Sequence, residues 1–132
     1  MKKYKFIVGF TGVGKSYFHK DINYNTVEID DVSKFDLNEL KNDKSIDYVL
    51  IDSKESNITQ LKESDLKFLL IYPHISIRDY YLKNYDQNSE LYNKIQSEWN
   101  STISIFNEMY VPKLVLGPNE YLSSIIPHID NL

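Results

Sequence analysis

Phe6-Ile7-Val8-Gly9-Phe10-Thr11-Gly12-Val13-Gly14-Lys15-Ser16 joins the most strand-like run of the chain to a glycine-rich octet. From Gly9 to Ser16 the octet satisfies G-x-x-x-x-G-K-[ST], the P-loop pattern. Each position has a physical task. The glycines let the backbone turn tightly with its N–H groups facing inward, an anion nest at the start of a helix whose dipole adds positive potential. Lys15 is expected to place its ammonium on the β- and γ-phosphates, and Ser16 to offer its hydroxyl to Mg²⁺. The loop is therefore expected to hold a nucleoside triphosphate through Gly9, Thr11, Gly12, Val13, Gly14, Lys15, Ser16 and Tyr17. Three of the four glycines of the chain fall inside this octet, between a strand and a helix, which is the context that gives the pattern its meaning.

Outward from the octet, short apolar runs alternate with segments of helical period. Tyr4 to Val8 reads as a buried strand ended by Gly9, and a helix is expected from about Lys15. Thr26 to Asp30 is a second strand, followed by a short helix over Ser33 to Lys41. Asp47 to Asp52 is a third strand, and Ser53 is expected to open a helix carrying Ile58 and Leu61. Lys67 to Tyr72 is a fourth strand stopped by Pro73. From Ser76 to Asn107, Tyr81, Tyr85, Tyr92, Ile95, Trp99, Ile103 and Phe106 recur on one helical face, with a break expected at Asp86-Gln87-Asn88-Ser89. Lys113 to Leu116 is a fifth strand, and Asn119 is expected to cap a closing helix. Strands alternating with helices predict an α/β protein: a three-layer αβα P-loop NTPase fold with a five-stranded, mainly parallel sheet. No linker or repeat divides residues 1–132, so one nucleotide-binding domain is expected.

Composition bounds the function. The 132 residues suffice for one core, and 19 acidic against 15 basic residues give a net charge of -4, which disfavours a duplex nucleic-acid surface. Without cysteine there is no disulfide, thiolate nucleophile or thiolate-bound zinc. The first apolar run is too short for export and no run is long enough for a bilayer, so a soluble, cytoplasmic protein is expected. Alanine is absent while Asn, Lys, Ile, Tyr and Phe are abundant, the mark of an AT-rich coding sequence.

Mg²⁺ needs oxygen ligands beyond Ser16, and in a parallel sheet these lie at strand carboxyl ends. Asp52 is the expected second metal ligand, and Asp30 and Asp31 could act on an acceptor hydroxyl; ordinary helix capping is the competing reading for each. Glu28 alternates to the solvent side of its strand. Transfer of a phosphoryl group calls for a stabilising cation. Arg78 is the only arginine, so it is the expected catalytic cation beside Lys15, with Lys83 or Lys94 as less directional substitutes. His19, His74 and His128 lack metal spacing, and the turn Gly117-Pro118 is a candidate rest for a purine ring. The aromatic face from Tyr81 to Phe106 reads as core or dimer contact before base stacking.

These residues resemble the P-loop nucleoside and nucleotide kinase-like proteins, in particular small phage-encoded members of the deoxynucleoside monophosphate or adenylate kinase type. The resemblance rests on IVGFTGVGKSYF, on VEIDDVSKF, on LLIYP, and on the pattern from YYLKNY through Trp99 to Tyr121-Leu122, so it covers most of the chain. It implies ATP·Mg²⁺ as phosphate donor, a nucleoside monophosphate acceptor beyond the second strand, and, for a phage protein, the host cytoplasm. Two departures bear on activity. About sixteen residues separate Asp30 from Asp47, where members carry a longer acceptor-binding region, and Asn84, Gln87 and Asn88 stand where members place lid arginines. Three functions therefore compete: a minimal kinase using Lys15, Asp30 or Asp31, and Arg78; a catalytically degenerate relative that binds a nucleotide or a protein partner; and a stand-alone NTPase switch, weakened because Ser53 rather than glutamate follows Asp52.

Overall fold

The computed structural model describes residues 4–131. Five strands, β1 (Phe6–Gly9), β2 (Thr26–Ile29), β3 (Tyr48–Asp52), β4 (Phe68–Pro73) and β5 (Lys113–Leu116), form one sheet in the order β2-β3-β1-β4-β5. Every pairing is parallel. Parallel strands require crossovers, and helices supply them: α1 (Lys15–His19), α2 (Leu37–Asn42), α3 (Glu55–Glu63), α4 (Arg78–Leu82), α5 (Glu90–Glu108) and α6 (Leu122–Ile125). A five-stranded parallel sheet flanked by helices is the α/β class expected, and it is consistent with three layers.

Burial follows strand position. In β1 and β4 every residue is buried, because both faces are covered and both edges paired. β2 and β5 are the edges, and there only Ile29 and Leu116 are fully buried. On α5, Ile95, Trp99, Ile103 and Phe106 are buried at spacings of four, four and three. Phe10 meets Trp99 and Phe106 nearly edge-on, at 6.0 and 6.4 Å between ring centroids. Such pairs contribute about 0.5–1.5 kcal/mol each beyond area burial. The aromatic face is thus core, and it lies directly behind the glycine-rich loop.

Element boundaries differ from expectation in four places, each with a local cause. The helix expected over Ser33 to Lys41 divides: Asp31 caps a single 3₁₀ turn at Val32–Lys34, and Asp36 then caps α2 through Glu39 N–H. Ser53 does not open α3, which starts at Glu55 after Lys54 without a side-chain cap. Asn119 does not cap α6; it takes a φ of 61° in the turn closed by Glu120 N–H on the Gly117 carbonyl. The long helical stretch breaks at 86–89 as expected, with Ser89 Oγ accepting from Tyr92 N–H, but ahead of the break a 3₁₀ turn at Ile75–Ile77, capped by His74, leads into a five-residue α4. Among the described residues, no helix is long and apolar enough to cross a membrane.

Candidate functional site

Residues 10–14 leave the carboxyl end of the central strand β1 and turn back into α1. On one flank of β1 the chain runs out to β3 and β2, and on the other to β4 and β5, so the loop stands where strand order reverses, the usual ligand position in such sheets. Gly12 and Gly14 have φ of 90° and 97°, the left-handed region open to glycine without strain.

Every carbonyl from Gly9 to Gly14 is held by the protein. Lys15 Nζ donates to Gly9 O at 2.6 Å and, longer, to Phe10 O at 3.5 Å, which also accepts from Val13 N–H. Tyr81 Oη donates to Thr11 O at 2.7 Å, and Tyr85 Oη to Gly12 O at 3.4 Å. Leu122 N–H holds Val13 O, and Phe18 N–H holds Gly14 O. By contrast, the N–H groups of Thr11, Gly12, Gly14, Lys15, Ser16 and Tyr17 donate to no partner among the described residues. Carbonyls engaged and donors free is the polarity an anion needs. The helix dipole expected to assist is modest, because α1 is only five residues long.

The donors border a cavity of about 560 Å³, within the range of small-molecule sites. Of the expected site residues, Thr11, Gly12, Gly14, Lys15, Ser16, Tyr17, Asp30 and Asp52 line it; Gly9, Val13, Asp31 and Arg78 do not. Gly9 and Val13 lie in the buried base of the loop. Gly9 is paired in register with Asp52, which sets that carboxylate beside the loop. Asp30 bonds Lys54 at 2.9 Å. Asp31 is half-buried and accepts from Ser33 N–H and Oγ, which hold its carboxyl below the usual carboxylate range. Arg78 lies against Asp79 and lines a separate concavity with Leu82 and Gln87. Gly117 and Pro118 stay outside the cavity; Gly117 N–H donates to Glu120.

Burial pushes the Lys15 ammonium below the ordinary lysine value of 10.5, against the pull of Asp52 and Glu28 and with the repulsion of Lys94. Ser16 Oγ donates to Glu28 Oε1 at 2.8 Å. Glu28 is exposed, as its alternation indicates, yet it lines the cavity, a role that strand period alone does not reveal. Ser16, Asp52 and Glu28 together present hard oxygen donors, the type Mg²⁺ takes.

Three further residues contribute in ways that local sequence pattern does not show. Tyr81 and Tyr85 belong to the apolar stripe, but their i, i+4 spacing also sets two hydroxyls side by side over the loop. Asn57 is fully buried on α3, where Oδ1 accepts from Val32 N–H and Nδ2 donates to Asp30 O and Asp52 O. It ties together the ends of the two strands that carry the acidic residues. A second cavity of about 340 Å³ shares Thr11, Asp52 and Lys94 with the first and runs along α5 past Glu98 and Thr102. No known family model matches this chain, and a search of curated proteins finds no significant relative.

Proposed function

We propose that loop 9–16 is a P-loop, and that the protein binds ATP with Mg²⁺ and transfers its γ-phosphate to a small acceptor. The observation that carries this reading is the polarity of the loop: six consecutive carbonyls engaged by protein donors, free N–H groups bordering the cavity, and Lys15 among them. The free donors bind the phosphate chain, and Lys15 leaves the loop carbonyls to meet it. Ser16 and Asp52 would hold Mg²⁺, with Glu28 fixing the Ser16 hydroxyl. Bound there, the ion would neutralise charge on the β- and γ-phosphates.

A second reading, nucleotide binding without transfer, draws on a different observation. Asp30 is paired with Lys54 and Asp31 with Ser33, so each acidic residue already has a structural partner. Titration calorimetry with ATP and MgCl₂ should register binding by the parent and a loss of at least about tenfold in Lys15→Ala, the size of one charge-assisted hydrogen bond. Transfer of label from γ-labelled ATP to a panel of nucleosides and nucleoside monophosphates separates the readings. Binding with no transfer leaves the second, and no binding by the parent removes both.

A further inference from the structure

Phosphate sites are recognised by where their cations stand and by what else holds those cations. Several of the cations are already engaged. Lys54 pairs with Asp30, Arg78 with Asp79, and Lys83 lies over the Tyr80 ring at 4.2 Å. Lys5 and Lys113 each donate to three backbone carbonyls. Lys94 differs on both counts. It lines the cavity of the glycine-rich loop, and its ammonium has no hydrogen bond or ion pair among the described residues.

Its position is also particular. Lys94 comes from α5, separated from the loop in sequence by the four helices α1 to α4, and it shares both cavities with only Thr11 and Asp52. It therefore stands beside Thr11 and Asp52, where the two cavities adjoin. The protein thus brings two ammonium groups, Lys15 and Lys94, to one cavity and leaves one of them unpaired. Like charges at close quarters are unfavourable without a counter-charge between them. A polyanion that runs from the loop donors toward Asp52 supplies that charge, and its last phosphate is the group left for Lys94.

We infer that Lys94 is the specificity-determining residue that reads the terminal phosphate of a nucleoside triphosphate, in the place where the single arginine does not reach. The inference rests on the nucleotide-binding reading above and deepens it. An unbranched ammonium serves here as a point charge, without the two-pronged geometry of a guanidinium. A diphosphate that fills the loop donors ends short of Lys94, so discrimination between ATP and ADP falls to this side chain.

The test is calorimetric titration of the parent, Lys94→Gln, Lys94→Arg and Lys83→Gln with MgATP and MgADP, with thermal melts to verify folding. Lys94→Gln should weaken ATP about tenfold and ADP less than twofold, Lys94→Arg should keep most of the preference for ATP, and Lys83→Gln should change neither. Equal losses for ATP and ADP, no loss, or a loss that Lys94→Arg fails to rescue would each overturn the role given to Lys94. Should the parent bind no nucleotide, the nucleotide reading falls separately, and inorganic tripolyphosphate becomes the probe. Weaker tripolyphosphate binding in Lys94→Gln then sustains Lys94 as an end-phosphate reader, and unchanged or absent binding rejects it.

Discussion

Tyr81 places its hydroxyl on Thr11 O from a ring that is almost wholly buried between Phe10, Tyr85 and Trp99. Burial keeps that hydroxyl neutral, and therefore a donor, well beyond the ordinary tyrosine range. Tyr81→Phe removes the donor and keeps the ring, so it should cost about 1–2 kcal/mol in urea unfolding and weaken ATP binding. Tyr85→Phe should cost less, because its bond to Gly12 O is long at 3.4 Å. Lys15 gives a pH dependence of definite sign. Its folded-state pKa is lowered, so between that pKa and 10.5 the unfolded chain holds more protons, and stability rises with pH. Phosphate binding needs the protonated form and should fall across the same interval. The rise ends near pH 10, where tyrosines ionise in the unfolded chain while Tyr81 and Tyr85 stay neutral in the fold. Thermal melts with and without ATP on the alkaline side of neutrality should therefore show the unliganded protein gaining stability while the ligand-induced shift shrinks. At this scale Lys15 and the loop glycines were legible because their chemistry is written in contiguous residues. The tyrosine hydroxyls and Glu28 were not, because each acts on an element distant in the chain.

The buried Asn57 shows how one helix governs the ends of two strands. Asn57→Leu strands Val32 N–H and the carbonyls of Asp30 and Asp52 without their partner, and should cost about 2–4 kcal/mol in urea unfolding. A smaller loss, below about 1 kcal/mol, would mean that the strand ends are held by other contacts. Helical period located α3 and α5, and strand composition located all five strands, since burial on one or two faces leaves a repeating pattern. Helix starts were less legible. Ser53 and Asn119 are good capping residues in isolation, but the crossover geometry starts α3 and α6 two or three residues later. The partners of Asn57 lie in part 25 and 27 residues away, beyond the reach of any local pattern.

In the whole molecule, alternation of strands and helices carried the parallel α/β class, but strand order is a property of crossovers and not of any segment. The order places β1 at the centre, between β3 and β4, although it comes first in the chain. A ribosome releases the chain from its amino end, and this arrangement sets a timetable. The apolar run Phe6-Ile7-Val8 emerges with no strand to pair with until Tyr48–Asp52 has followed, and its other edge waits for Phe68–Pro73. The loop carbonyls wait longer still, for Tyr81 and Tyr85, and the Val13 carbonyl waits for Leu122. The segment that would meet the phosphates is thus made before every element that completes it, and until those follow its apolar strand depends on later chain, or on a chaperone, for cover.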